Sequence, residues 1–557
     1  MPEGESPIPE EVEFKAAIEA VLQSPARKKL VIAGPGTGKT SLFKQMLKIA
    51  PGKPDQRIVL TFINNLKNDL ERDLAGLAQT YTLHSFCLGL LYRDPALRVG
   101  LSSDFRVCSG LARIIAHDWE LIEESEAPHF VGEMRELAEE SHISFYLGRG
   151  DYYDAVDFDD TVYRAYEGFS LGHSRPSSYD LVLIDEYQDF NRLEAGIIDV
   201  LAEANPIVIA GDDDQALYSQ LRNASWDYIR SLSRAGEYEV FELPFCMRCP
   251  KVVVDAVRDV LTRAREIHKL EGRIDKPYKH FPPVKGADSV KYPKIANVET
   301  TVQSRKVNYM GQFIAQEVAK IPRDEIEAAV RDGYPVALVI VAKPYRDQIT
   351  AYLEENGFKV ETRIELESDL NRDASLSILK ENQYSNLGWR IVLEADNPSF
   401  LHEVILATVD GGMRLVDGVP GTYHDAILAD VDAYNPPEEQ AEAKGPEDAS
   451  PAVVLPVVRV TSFEGSKGMS GQHVFIAGLH DGEIPHDPAA IMDIEICKFV
   501  VGLTRTRKKC TLLHTRHFGT SWKSPSSFIS WINGERLDFV RVDKAYWNSQ
   551  TEQDVDD

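Results

Sequence analysis

The sequence predicts an α/β fold with two parallel sheets, one on each side of residue 240, each interrupted by an insertion. Three observations carry this expectation. Short β-branched apolar runs bounded by turn or polar residues recur along the chain, as in strands of a sheet covered on both faces. Amphipathic helical stretches separate them. The strand signal fades twice, between Phe86 and Tyr179 and again over Glu361–Ser450.

In chain order, Lys29–Ile32 is the first strand, and it opens into Gly34-Pro35-Gly36-Thr37-Gly38-Lys39-Thr40 ahead of the helical Ser41–Ile49. Glycines let the backbone turn so that its N–H groups converge on phosphate oxygens at a helix N-terminus. Lys39 then reaches the β- and γ-phosphates of a nucleotide such as ATP, and Thr40 ligates Mg²⁺. Ala33 stands where the pattern usually has its first glycine. Arg57–Leu60 is the second strand. In Phe86–Tyr179 the spacings Leu111-Ile114-Ile115 and Phe130-Met134-Leu137 are helical, so this stretch reads as a helical insertion.

Leu181–Ile184 ends in Asp185-Glu186. There Asp185 positions Mg²⁺ and Glu186 polarises the attacking water. Pro206–Ala210 ends in Gly211-Asp212-Asp213-Asp214-Gln215, where Gln215 can sense a γ-phosphate and a neighbouring domain. Val336–Val341, Val453–Val460, His473–Ala477 and Cys510–His514 supply the second sheet. Arg248 and Arg505 are candidate arginine fingers, since a guanidinium set against the γ-phosphate neutralises transition-state charge. The second insertion ends in the acidic, proline-rich residues 435–448, an expected linker.

Composition narrows the class. Of the 557 residues, 43% are hydrophobic and 27% charged, as in ordinary globular proteins. The longest apolar runs, such as Pro335–Ala342, fall far short of the roughly 20 residues that span a bilayer. No signal-peptide pattern opens the chain, and six cysteines make no disulfide scaffold, so a cytoplasmic protein without a membrane partner is expected. Cys246 and Cys249 read as incidental thiols. The net charge of -27 opposes a nucleic-acid partner at long range, but Leu261–Lys306 carries 11 Lys/Arg against 5 Asp/Glu, and Lys498–Asn533 carries 7 and no acid. Such segments with interleaved aromatics suit a single strand.

The ordered set resembles the UvrD/Rep/PcrA group of superfamily 1 helicases, from about residue 25 to 520 with the second insertion excluded. Thr61-Phe62-Ile63-Asn64-Asn65 and Thr82-Leu83-His84-Ser85-Phe86 look like that family's first strand-binding motifs, and Asp157–Asp160 like the acidic motif of its helical insertion. Asp185–Asp189, Gly211–Gln215, Gly465-Ser466-Lys467-Gly468-Met469 and Val501–Arg505 with Glu495 continue the match. The resemblance implies two RecA-like P-loop domains with nucleotide between them and single-stranded DNA across their tops. By it, residues Gly34–Ser41 and Glu495 bind nucleotide, and Lys39, Glu186, Gln215, Arg248 and Arg505 act in hydrolysis. Thr40 and Asp185 hold Mg²⁺. Thr61, Phe62, Asn64, His84, Ser85, Tyr218 and Lys467 touch DNA. The expected layout is a first domain over 1–85 and 180–240 with a helical insertion at 86–179. A second domain covers 241–360 and 453–540 with a reduced insertion at 361–452, and an acidic tail follows at 541–557.

The departures from the family are specific. Ile18 falls near its adenine-reading glutamine, Met247 replaces its adenine-stacking tyrosine, and Ser470 replaces its ribose-contacting glutamate. Phosphate machinery without base contacts predicts hydrolysis with relaxed base preference. Gln220 stands where a tryptophan usually stacks on a base, leaving Phe62, Tyr218 and Phe86 as platforms. The expectation is an ATP-dependent single-stranded DNA translocase or helicase, 3′→5′ by resemblance. The alternative is a nucleotide-gated subunit that acts with a partner nuclease, as in bacterial anti-phage systems of the Gabija type. A P-loop kinase leaves Lys467 and Arg505 unexplained.

Overall fold

The computed structural model describes residues 8–62, 64–138, 140–304, 306–362, 370–408, 413–435 and 457–549, and the side chains at 64–66, 69 and 220 lie outside it. The expected linker from residue 436 onward and the last eight residues of the tail fall outside the described residues.

Six parallel strands form the first sheet, in the order Gln79–Thr82, Arg57–Thr61, Leu181–Ile184, Ile207–Gly211, Lys28–Ala33, Glu239–Leu243. Its four inner strands are nearly continuous apolar runs because helices cover both faces. The last strand closes this sheet just past residue 240. In the second sheet the order is Lys359–Thr362, Val457–Thr461, Ala337–Val341, Gly471–Ala477, Thr506–Phe518, Ile295–Gln303, Leu537–Val542. All seven are parallel, and Ser521–Trp522 pairs antiparallel on Thr506–Phe518. The two RecA-like sheets are thus present. Each places its loops at the carboxyl ends of its strands, where such folds bind ligands.

The two insertions share one core. Helices Leu111–Glu123 and Glu140–Tyr153 of the first meet Asn386–Asp396 and Leu401–Ala407 of the second. A single apolar cluster runs from Ile114, Phe130 and Tyr146 to Leu387, Trp389 and Ile405. Inside it, the fully buried Asp118 accepts from Arg149 Nε and Arg390 Nε, both at 2.8 Å, and from the Tyr153 hydroxyl. A buried carboxylate persists only when paired this completely.

Candidate functional site

The site is built on the inner strand Lys28–Ala33, next to the edge strand Glu239–Leu243, and its carboxyl end runs into the P-loop. Gly36 (φ 70°) and Gly38 (φ 95°) take the left-handed conformation that turns the chain into helix Lys39–Ile49. Thr37 Oγ1 donates to Gly34 O at 2.9 Å and fixes the loop from within. Close packing also explains the glycines. A Cβ on Gly36 would fall 2.5 Å from Arg248 Cβ, and one on Gly38 would fall 2.5 Å from Met247 Cε. Met247 N–H donates to Gly36 O at 2.9 Å. The segment bearing the first candidate finger therefore lies directly on the phosphate loop.

Asp185 and Glu186 leave the end of strand Leu181–Ile184 together, separated from Lys28–Ala33 by strand Ile207–Gly211. Glu186 adopts φ 55°, a left-handed backbone uncommon outside glycine, and this turn sends the two neighbouring carboxylates into one cleft. Lys39 Nζ lies 2.9 Å from Glu186 Oε1, and Gln188 Nε2 donates to Glu186 Oε2 at 2.6 Å. Burial opposes ionisation of Glu186, but Lys39 and Lys467 together hold its carboxyl well below the usual range. Burial and the charge of Glu186 instead push Asp185 up to about 7. Burial likewise works against the Lys39 ammonium, yet Glu186 and Asp185 outweigh it and raise its pKa.

The donor set fits Mg²⁺. Among the described contacts, the buried Asp185 carboxylate accepts only the Glu186 N–H, at 3.0 Å. Asp185 and the Thr40 hydroxyl line the same cleft and offer the hard oxygens this ion prefers.

The opposite wall comes from the second half of the chain. Arg248 and Arg505 line one cleft of about 560 Å³ with Lys39, Thr40, Ser41, Asp185, Glu186 and Gln215 of the first half. Arg505 is buried, and its hydrogen bonds reach only neutral acceptors: Val501 O (2.9 Å), Met469 O (3.2 Å), Thr504 Oγ1 (3.1 Å) and Gln215 Oε1 (3.1 Å). Burial and the nearby Arg248 push it down to about 9. A buried guanidinium that hydrogen-bonds no carboxylate among the described residues, with the more distant Glu186 favouring its charge, suits an anion site. Arg248 Nη1 donates to Thr504 O at 3.3 Å, so both guanidinium groups converge on one turn.

Several expected residues are placed elsewhere. Lys467, expected on DNA, is buried at the nucleotide cleft, where it pairs with Asp189 and donates to Gln215 O. Glu495, expected at the nucleotide, does not line that cleft. Its carboxylate accepts the N–H groups of Met492 (2.9 Å) and His486 (2.5 Å), capping helix Asp493–Thr504. Phe62 is no open platform: Arg222 lies 4.4 Å over its ring, and Tyr218 and Phe190 pack at 5.0 and 6.2 Å. Phe86 is core. Thr61 is buried, and its hydroxyl has no partner among the described residues. His84 is half-buried beside Arg222 (3.1 Å), and Ser85 Oγ donates to Thr82 O. Tyr218 donates to Glu464 O at 3.2 Å, linking the two halves. Asn64 opens helix Asn64–Asp73, but its side chain lies outside the described residues, as does that of Gln220.

The basic segments are also largely consumed internally. Arg265 pairs with Asp275, Arg273 with Asp214, Lys279 with Glu13 and Lys291 with Glu325. In the later segment Lys498 pairs with Glu464, Lys509 with Glu317 and Arg516 with Glu299. These cations neutralise neighbouring acids, Arg265, Lys279 and Lys291 while about half exposed. Sequence reasoning missed the groups that do border open space near the tops of the sheets. Lys343 and Arg346, from the helix after strand Ala337–Val341, line a second cavity of about 620 Å³ with Leu221, Thr362 and Lys498. An apolar strand followed at once by Lys343-Pro344 was the available signal.

Of the three departures from the family pattern, Met247 and Ser470 line the cleft and Ile18 does not. Ile18 lies on the buried face of helix Pro9–Gln23, in the apolar cluster with Val31 and Phe43. Ser470 Oγ accepts from Arg507 Nε at 2.9 Å, and Arg507 stacks 3.5 Å over Tyr334. Tyr278 was not anticipated: its ring packs on Gly34 and its hydroxyl donates to Pro35 O at 3.1 Å.

Residues 15–220 match the AAA domain family, which covers the P-loop, Asp185-Glu186 and Gln215. Over 283 residues the chain is 23% identical to DNA helicase II of Haemophilus influenzae, covering 43% of this chain and 39% of that protein. Over 252 residues it is 25% identical to a probable DNA helicase II homolog of Mycoplasma capricolum, covering 37% of this chain and 34% of that protein. The matches thus span about two fifths or less of each relative's length. No helix among the described residues is long and apolar enough to cross a membrane.

Proposed function

We propose that this UvrD/Rep-like P-loop chain hydrolyses ATP and uses the cycle to move along single-stranded DNA, with 3′→5′ polarity as in the family it resembles. One observation carries the reading: Arg248 and Arg505 of the second half meet Lys39, Glu186 and Gln215 of the first across a single cleft. A γ-phosphate there contacts both halves, and a ligand shifts an open–closed equilibrium only through such differential contacts. Bound Mg²⁺, held by Thr40 and Asp185, supplies charge neutralisation between the phosphates. Lys39 exchanges Glu186 for phosphate oxygen, which frees Glu186 to take a proton from the attacking water. Gln215 orients that water, and Arg505 with Arg248 stabilises the developing charge.

The names of the two relatives, both DNA helicases, support DNA as the track. The half-buried His84 and Ser85 and the cavity bordered by Lys343 and Arg346 mark a path for it. With Ile18, Met247 and Ser470 in place of base and sugar readers, hydrolysis extends to several NTPs. A second reading is favoured by the covered Phe62 ring and the joined insertions: a nucleotide-gated subunit that unwinds little by itself and acts with a partner nuclease.

The test is the hydrolysis rate with and without single-stranded DNA, followed by strand displacement. Lys39→Ala abolishes turnover, and Glu186→Gln retains nucleotide while slowing hydrolysis by about 10²-fold or more. DNA-stimulated turnover surviving in both variants would overturn the assignment. Stimulation without displacement favours the second reading.

A further inference from the structure

We infer that Lys276 is a positioning residue for hydrolysis: its ammonium clamps the Asp212-Asp213-Asp214 loop so that Asp212 holds the Gln215 amide in one orientation. The inference rests on the hydrolytic reading above and assigns a role to a residue no motif marks.

Three consecutive buried aspartates with carboxylate oxygens within 4.8 Å of one another have the layout of a cation site. Here the chain supplies the cation itself. Lys276 Nζ lies 2.7 Å from Asp212 Oδ1, 2.6 Å from Asp213 Oδ1 and 2.9 Å from Asp214 Oδ2, with its side chain 4% exposed. Arg273 takes both Asp214 oxygens at 2.6 and 2.7 Å. Arg230 Nε and the Ile274 N–H take Asp213 Oδ2, both at 2.9 Å. Five of the six carboxylate oxygens are thereby held by cations. The sixth, Asp212 Oδ2, accepts Gln215 Nε2 at 2.7 Å.

That last bond fixes which end of the Gln215 amide faces the cleft. A carboxylate only accepts and a guanidinium only donates. With Asp212 on one side and Arg505 Nη2 3.1 Å from Oε1 on the other, the flipped amide would meet acceptor with acceptor and donor with donor. The carbonyl therefore points toward Arg505, where it can accept from an attacking water. Three carboxylates this close do not all stay ionised without a resident cation. Lys276 arrives from the loop before strand Lys279–His280, beyond the last strand of the first sheet. An ammonium suits the place because its donors meet three converging carboxylates, which a planar guanidinium cannot do.

The test compares Lys276→Met, Asp212→Asn and Asp213→Asn in the full chain, reading kcat and KM for ATP with single-stranded DNA present, together with melting temperature. Asp212→Asn and Asp213→Asn each remove one carboxylate contact of Lys276, but only Asp212 touches Gln215. The expected result is a kcat loss of about tenfold or more in Lys276→Met and Asp212→Asn with KM within about threefold, and Asp213→Asn within about threefold of wild type. A merely structural cluster predicts equal losses in Asp212→Asn and Asp213→Asn, and that result overturns the inference. So does kcat within about threefold of wild type in Asp212→Asn. Should Lys276→Met fail to fold, the two aspartate variants decide alone. A wild-type chain without turnover overturns the hydrolytic reading, and this inference with it.

Discussion

Two buried arginines make the sharpest comparison in this protein. Arg505 is 2% exposed and Arg390 is 0% exposed, so the same substitution to methionine removes a charge of equal burial from each. Their partners differ. Arg390 donates to Asp118 (2.8 Å) and Glu394 (2.7 Å), and its loss leaves Asp118 with one ionic partner fewer in the core shared by the insertions. Breaking such a pair costs about 3–5 kcal/mol, or roughly 10 °C in the transition of a domain this size. Arg505 has no acid within ion-pair distance among the described residues, and burial with the nearby Arg248 brings its pKa down to about 9. At ~1.4 kcal/mol per pKa unit, its charge is a cost of a few kcal/mol in the nucleotide-free protein. The carbonyls of Val501 and Met469 lose a donor on substitution, at about 1–3 kcal/mol each. The two effects nearly offset.

Arg505→Met therefore leaves the nucleotide-free melting temperature within about 3 °C, while turnover falls by about 10³-fold or more, the scale of an arginine finger. Arg390→Met melts early, yet hydrolyses nucleotide normally below its transition. Thermal unfolding followed by circular dichroism, beside a coupled phosphate-release assay, reads both. If Arg505→Met melts as early as Arg390→Met, or keeps turnover within about tenfold of wild type, the anion-site argument is wrong.

Further outcomes follow from the same geometry. Among ATP, GTP, CTP and UTP, kcat/KM spans no more than about tenfold, because no adenine or ribose reader stands at Ile18, Met247 or Ser470; hydrolysis of ATP alone contradicts this. In the nucleotide- and metal-free protein Asp185 binds its proton up to about pH 7, whereas the unfolded chain releases it near the ordinary 3.8. The fold thus holds more protons across that window, so this group's contribution to stability falls as pH rises from 4 to 7. Asp185→Asn flattens that part of the melting-temperature profile, and an unchanged slope would refute the assignment. Phe62→Ala costs about 3–5 kcal/mol in denaturant unfolding, as for a core phenylalanine, whatever it does to strand binding; a loss below about 1 kcal/mol would mean the ring is an open platform.

How much of this was legible in the sequence depends on distance along the chain. Gly34–Thr40, Asp185-Glu186 and Gln215 sit at strand ends, where phosphate chemistry imposes short contiguous patterns. The inner strands were legible because both their faces are apolar. The edge strands Gln79–Thr82, Glu239–Leu243, Lys359–Thr362 and Leu537–Val542 were not, since they mix exposed and buried polar positions and carry no apolar run. Ile295–Gln303 buries only Ile295, Val298, Thr300 and Gln303, two of them polar, and was missed because it carries no apolar run. Lys276, Arg273 and Tyr278 counted as part of a basic, aromatic segment. Only the fold shows that the first two neutralise Asp212–Asp214 and that the third braces the P-loop. Local charge counts do not tell a cation facing solvent from one facing an acid distant in sequence. Family resemblance located Lys467 and Glu495 but not their partners, because hydrogen bonds to Asp189 and to a helix end depend on the local turn.

The central claim is that one terminal phosphate is held from both halves of the molecule at once. A crystal structure of the chain with Mg²⁺ and a non-hydrolysable ATP analogue tests it most directly. The account predicts γ-phosphate oxygens within about 3.2 Å of Lys39 Nζ and of guanidinium nitrogens of both Arg248 and Arg505, with Lys39 released from Glu186. A γ-phosphate held by the P-loop alone, with both arginines still turned to the Thr504 backbone and side chain, would contradict it.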